Sequence, residues 1–313
     1  MENVKILMST YNGGKYIREQ LDSLVNQTYK NIDVYIRDDG SSDDTVDIVK
    51  SYENDSFDGI RFHLIEDEVK KNLGYPDCFW EITRKCGDAK YYSFCDQDDI
   101  WLPDKVERAV AMIQQEEAKC GEDVPIMSFT SFDYCNQSME FVRDNPLYED
   151  MNNNMFAKGL YYTYAPGFTQ VINRALFECI DADKLQGKKL AHDIWCQWIA
   201  SSCGKVLCDK GVFAHYRRHD AAVTDANISN VKLIKRWWKK EIMGEEMVIW
   251  KQSLCHYHDM FIDKVDEESA KVLSLFGTKR GGKKLKKLFY PLRLRPTKGG
   301  DLSLRILILL GRC

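Results

Sequence analysis

The first hundred residues switch between two hydrophobic rhythms. Short apolar runs at Val4–Met8, Ile32–Ile36, Ile60–Ile65 and Tyr91–Cys95 read as buried strands. Between the first two, Ile17, Leu21, Leu24 and Val25 recur at helical spacing and mark one helix face. A second helix carries Val46, Ile48 and Val49, with Asp43 or Asp44 placed to cap it, and a third helical segment runs from about Pro76 to Arg84. Strands alternating with helices predict right-handed βαβ units and a mostly parallel sheet, hence an α/β fold. Further on, Pro103 opens a helix bearing Val106, Val110 and Ile113, and Val124–Phe129 reads as a strand. The polar stretch Asp133–Met155, which holds Asn152-Asn153-Asn154, is expected to be a flexible loop. Leu190–Ser202 looks helical, and Lys205–Cys208 and Val212–Tyr216 look like two strands. Beyond about Asp220 the pattern turns helical and basic, which divides the chain into a domain at 1–220 and an extension at 221–313.

Polar clusters follow three of the early strands: Ser9-Thr10-Tyr11-Asn12, Asp38-Asp39 and Asp96-Gln97-Asp98-Asp99. In an open parallel sheet, ligands bind outside the carboxyl ends of the strands, so three clusters at that edge define a site. There is no G-x-G-x-x-G and no G-x-x-x-x-G-K-[ST], so neither a dinucleotide fingerprint nor a P-loop is present. The acids at Asp96, Asp98 and Asp99 suit a hard divalent cation whose other positions are filled by water and phosphate oxygens. Because Pro103-Asp104 follows closely, the bland alternative is an acidic helix N-terminus.

Composition changes this picture mainly through charge. With 313 residues, 44% hydrophobic and 29% charged, the chain can bury a sizeable core, and disorder, collagen and coiled coil are excluded. The net charge of −4 conceals an asymmetry: residues 271–313 hold twelve Lys/Arg and one acid, Asp301, a balance of +11 that leaves −15 for the rest. Eleven scattered cysteines, an odd number without a CxxC pair, read as reduced thiols. No secretory pattern follows Met1, and the apolar stretch Ile306–Leu310 falls far short of the ~20 residues that span a bilayer. A cytoplasmic protein, soluble or peripheral at the inner face of the membrane, is expected.

The ordered set Met8-Ser9-Thr10-Tyr11-Asn12-Gly13, Gln27-Thr28-Tyr29, Arg37-Asp38-Asp39-Gly40-Ser41-Ser42-Asp43, and Asp96-Gln97-Asp98-Asp99 with Trp101 and Lys105 resembles family 2 glycosyltransferases. The resemblance covers roughly residues 1–220 and is strongest to the bacterial rhamnosyltransferase-type branch that builds cell-surface polysaccharides. It implies a GT-A fold and inverting transfer from a nucleotide-activated sugar, assisted by Mn2+ or Mg2+. It sets Thr10, Tyr11 and Asn12 around the nucleotide, with Tyr11 flanking the base. Asp39 would accept from the pyrimidine while Asp38 shapes that pocket, as a carboxylate paired with a uracil or thymine N–H would. Asn72-Leu73-Gly74 matches the family's Asn-x-Gly segment beside the donor, but Asp77 stands where an Asn is common. Asp96 would lie near the ribose, with Asp98 as metal ligand and Asp99 as a second candidate. In His192-Asp193-Ile194-Trp195, Asp193 matches the catalytic base that takes the acceptor hydroxyl proton, although it could instead only cap a helix. Trp195 and Trp198 would wall the sugar site or pack in the core. Tyr216-Arg217-Arg218-His219 resembles the family's Tyr-Arg-x-His segment, implying Arg217 on the diphosphate and His219 on diphosphate or metal; a basic surface turn is the alternative.

The tail has its own logic. Lys232, Lys235, Arg236, Lys239 and Lys240 surround Trp237-Trp238, and Lys283-Lys284 and Lys286-Lys287 precede Leu288-Phe289-Tyr290. Basic residues interleaved with aromatic and aliphatic ones suit an anionic membrane surface. A solvated basic face or a dimer contact is the bland reading; nucleic acid fits poorly, because an acidic body repels phosphates. The expected partners are therefore a nucleotide-sugar donor, first of all dTDP-rhamnose, a saccharide acceptor, lipid-linked, and anionic lipid. UDP-linked hexoses or N-acetylhexosamines stay open as donors, and the oligomeric state is not legible. A nucleotidyltransferase would need a Gly-rich basic loop that Ser9–Gly14 lacks, and a non-catalytic membrane-docking subunit would be expected to have lost Asp98 or Asp193.

Overall fold

The computed structural model describes residues 1–66, 71–145, 153–218, 238–278 and 283–313. His219 and the basic cluster from Lys232 to Trp237 lie outside the described residues. The chain forms two compact units, one of Met1–Leu147, Ala165–Ala200 and Gly204–Asp220, the other of Tyr148–Tyr164, Ser201–Cys203 and Ala221–Cys313.

The first unit begins β1 (Val4–Thr10), α1 (Ile17–Val25), β2 (Ile32–Asp38), α2 (Thr45–Glu53), β3 (Ile60–Leu64), α3 (Asp77–Lys85) and β4 (Tyr91–Cys95). It continues through β5 (Ile100–Trp101), α4 (Lys105–Cys120), β6 (Ile126–Cys135) and β7 (Phe141–Asp144). Among the described residues these strands join β8 (Gln170–Asn173) and β9 (Lys205–Arg217) in one sheet of order β3-β2-β1-β4-β8-β6-β9-β5, with β7 added along β6. The pairs β1–β2, β2–β3 and β1–β4 are parallel, whereas β8 runs antiparallel to both β4 and β6. β1 is buried almost throughout because helices cover both faces of a parallel sheet, so its sequence is a continuous apolar run rather than an alternation. Ile17, Leu21 and Leu24 of α1 are fully buried against this core, each stabilising by about 1.5–3 kcal/mol. Asp44 is the N-cap of α2 without a side-chain cap bond, while the preceding Asp43 accepts from the Thr45 backbone N–H on its Oδ1 at 3.1 Å.

Two expectations are corrected here, and one strand was not anticipated. The anticipated loop at 133–155 contains the end of β6 and all of β7, which pair antiparallel. The two expected strands at 205–216 are one, because Lys210-Gly211 bulges out where the β6 partner steps from Thr130 to Ser131. β8, only four residues long, carries too little pattern to read from sequence.

After β7 come α5 (Met155–Lys158), α6 (Arg174–Glu178), α7 (Ala182–Leu185) and α8 (His192–Cys203). The second unit also holds a π turn at Trp238–Ile242, then α9 (Glu246–Phe261), α10 (Glu267–Phe276), α11 (Lys284–Leu288) and α12 (Lys298–Leu309). Asp266 and Thr297 cap α10 and α12 through the backbone N–H groups of Ser269 and Gly300. Leu304, Leu307 and Ile308 of α12 are buried, while Leu302, Ile306 and Leu309 are exposed at i, i+4 and i+7. Among the described residues no helix is long and apolar enough to cross a membrane.

Candidate active site

The register of the parallel strands places Thr10 beside Asp38 and Met8 beside Cys95, so the segments after β1, β2 and β4 emerge together. Thr10 Oγ1 donates to Asp38 Oδ1 at 3.0 Å, and Asp38 Oδ2 accepts from the backbone N–H groups of Gly40 and Ser41. Asn12, at a left-handed φ of 46°, receives the Ser42 N–H on its side-chain oxygen at 2.8 Å. Asp38 and Asn12 are thus spent holding two loops together.

Tyr11 is held by its backbone. Gln97 Oε1 accepts from the Tyr11 N–H at 2.9 Å while Gln97 Nε2 donates to the Tyr11 carbonyl at 3.1 Å, and the ring stays 51% exposed. Asp39 is buried against Arg37 at 2.5 Å and accepts from the Leu73 and Gly74 N–H groups, both at 2.7 Å. Gly74 needs its missing Cβ here, because its φ of +69° lies in the left-handed region. Three accepted bonds leave the Asp39 carboxylate one free lone-pair direction for a ligand donor. Asp77 accepts from the Gly187 N–H at 2.9 Å.

Thr10, Tyr11, Asp39, Asn72, Asp96 and Asp98 line one cavity of about 560 Å³. A second, of about 470 Å³, is lined by Asp193 together with Phe132, Tyr134, Phe168, Arg143 and Arg218. Tyr75, Asp96 and Tyr216 belong to both walls. Phe168 and Tyr216 stack at 5.4 Å and 17°, with Phe132 edge-on to each. This aromatic wall was missed by sequence reasoning, although Phe132 and Tyr134, two apart on β6, carry the period-2 signal of one strand face. Trp195 and Trp198 are fully buried, which decides for core packing.

Electrostatics set the acids apart. Burial, reinforced by the charges of Asp98 and Asp193, raises Asp96 to about 7. Burial raises Asp193 to about 6, opposed by hydrogen bonds from the Ile194 and Gly167 backbone. Asp99 is fully buried and lines neither cavity; burial, then Asp96 and Asp98, lifts it well above the usual carboxylate range. Its Oδ1 accepts from the Arg217 N–H at 3.2 Å. The Arg217 guanidinium is buried as well, donating to the Asp98 carbonyl at 2.9 Å and to Glu19 at 2.6 Å. Asp99 and Arg217 thus brace the acidic loop from behind, and neither lines a cavity. Lys105 is buried 3.6 Å from the Trp101 ring centroid, and burial lowers it to about 7.

His192 packs beside Asp193 at the start of α8. Its ring lies 4.1 Å from Phe79 and 4.3 Å from Phe94, and burial lowers it to about 3, so it is neutral. A Cβ on Gly167 would stand 2.3 Å from His192 Nε2, so only glycine admits this approach.

The sequence matches the profile of Glycosyl transferase family 2 over residues 5–180. The chain belongs to that family. It is 27% identical over 266 residues to an uncharacterized glycosyltransferase of Rickettsia typhi, covering 80% of this chain and 76% of that protein. It is also 27% identical over 250 residues to the dTDP-rhamnosyl transferase of Shigella flexneri, covering 75% and 82%. Staphylococcus aureus TarS 1–349, solved with UDP-GlcNAc, superposes with a TM-score of 0.55 over 99% of this chain and 91% of its own at 16% identity, a likeness of fold alone. The chain is accordingly a family 2 glycosyltransferase with a GT-A-like α/β fold. Divalent metals are common in such enzymes, and Asp96 and Asp98 fit one: two hard carboxylates on one cavity, close enough for Asp98 to raise Asp96. Among the described residues no three His, Cys, Asp or Glu side chains form a cage, so water and phosphate oxygens would complete the shell.

Proposed function

We propose that this glycosyltransferase moves a sugar from a nucleoside diphosphate, first of all dTDP-rhamnose, to a saccharide hydroxyl with inversion, in building a bacterial cell-surface polysaccharide. The observation that carries this reading is a pair of cavities that share Tyr75, Asp96 and Tyr216 in their walls, with Asp98 on one and Asp193 on the other. Tyr11 would stack on the base and Asp39 accept from its N–H, fixing the nucleotide. Asp193 would take the acceptor proton as its oxygen attacks the anomeric carbon from the side opposite the leaving diphosphate. Mn2+ or Mg2+ held at Asp98 and Asp96 would supply positive charge to the departing diphosphate. Aromatic faces at Phe168 and Tyr216 would exclude water from the reacting carbon.

Similarity to the Shigella flexneri dTDP-rhamnosyl transferase favours rhamnose. A UDP-hexose reading is favoured by another relative, the UDP-Glc:alpha-D-GlcNAc-diphosphoundecaprenol beta-1,3-glucosyltransferase of Escherichia coli, 31% identical over 117 residues, which cover 37% of this chain and 43% of that protein. Hydrolysis of a nucleotide-sugar panel with Mn2+, Mg2+ or chelator decides between them. The expected result is metal-dependent turnover of dTDP-rhamnose, abolished in Asp98→Asn; preference for a UDP-sugar would reassign the donor, and full activity in chelator would remove the metal.

The second unit is read as holding the enzyme to anionic lipid at the inner face of the cell membrane. Support comes from the exposed Leu285, Phe289, Leu302, Ile306 and Leu309 interspersed with Lys284, Lys286 and Lys298. Apolar insertion combined with cationic attraction gives peripheral attachment.

A further inference from the structure

The second cavity holds two cations that the transfer reaction, as described, does not use. Arg143 of β7 and Arg218, just past β9, both line it. Their guanidiniums lie over one ring, Tyr134, at 4.0 and 5.7 Å from its centroid. Neither makes an ion pair among the described residues, in contrast to Arg217, which is paired with Glu19 at 2.6 Å. Two like charges held near one ring repel, and an anion in the cavity they both line would relieve that repulsion by accepting charge-assisted hydrogen bonds. A neutral saccharide needs no such pair, since the aromatic faces of Phe168 and Tyr216 already suit a sugar ring.

We infer that the acceptor carries a phosphate group near the hydroxyl that is glycosylated, and that Arg143 and Arg218 select it. The inference rests on reading the Asp193 cavity as the acceptor site. The phosphate can come from the diphosphate that links a sugar to a lipid or from a phosphodiester within a polymer; in both, non-bridging oxygens match the planar donors of arginine.

Calorimetric binding separates these sources and separates this inference from the proposed reaction. The probes are N-acetylglucosamine joined through α-diphosphate to a short alkyl chain, an N-acetylglucosaminide bearing a glycerol phosphodiester, and the uncharged alkyl N-acetylglucosaminide. At least one phosphate-bearing probe is expected to bind about tenfold or more tighter than the uncharged one, as a charge-assisted bond would give. The preferred probe identifies the source, and Arg143→Gln with Arg218→Gln is expected to erase the preference. UDP and dTDP binding and donor hydrolysis are expected to stay unchanged in that double variant. Equal binding of all three probes, a preference that survives in the double variant, or weakened nucleotide binding, which would assign the arginines to the donor, each overturns the inference. Absence of donor hydrolysis in the wild type would instead overturn the proposed reaction.

Discussion

Asp193 can accept a proton only as a carboxylate, yet its cavity wall disfavours that form and holds it at about 6. Protonation silences a general base, so turnover is expected to rise with pH through about 6 and level off above it; a kcat profile that is flat across that range would discard the assignment. Asp193→Asn keeps the shape and removes the basicity, and is expected to lower transfer by about 10²–10⁴-fold with nucleotide affinity within about twofold, read by steady-state rates and calorimetry. The acids Asp96, Asp98 and Asp99 were legible in the sequence as a cluster directly after a buried strand, which has few structural uses. Directions were not. Tyr216 and Arg218 share a face at the end of β9 and line the cavity, whereas Arg217 between them turns inward. The pleat alternates side chains, and the phase of that alternation is set by pairing with β6, which a motif does not record.

At the level of elements, the legible parts were those whose periodicity is long and undisturbed. β1 through β4 and the helices between them follow directly from apolar spacing, and so does α8. β7 and β8 have four residues each, too few to show a period; β7 forms a hairpin with the end of β6, whereas β8 pairs with β4 and β6, far away in sequence, which no local pattern announces. The junction around Asp193, the proposed base, is equally non-local: the turn at Gly167–Thr169 lies against His192, and Gln170 Nε2 donates to the Asp193 carbonyl at 3.0 Å. Gly167→Ala drives a methyl into His192, so the start of α8 must shift. A destabilisation of about 1–3 kcal/mol is expected, seen as a lower urea midpoint, with kcat falling more than donor affinity. Unchanged kcat would mean that Asp193 does not depend on this contact.

For the whole molecule, the small net charge is a sum of opposites, and the strongly basic stretch coincides with exposed apolar residues. Leu302→Glu with Ile306→Glu alters only the exposed face of α12, so donor hydrolysis is expected to persist while co-sedimentation with phosphatidylglycerol vesicles is lost. Raised salt is expected to weaken the wild-type association, since each Lys or Arg near an anionic surface contributes about 1 kcal/mol that screening removes. Vesicle binding that ignores both changes would assign the surface another purpose. The wall common to the two cavities carries a different consequence. Because Tyr75, Asp96 and Tyr216 face both compartments, whatever fills one redraws the boundary of the other. Occupancy on the two sides is then thermodynamically linked, and the linkage is reciprocal: the factor by which nucleotide alters affinity for a saccharide must equal the factor by which saccharide alters affinity for nucleotide.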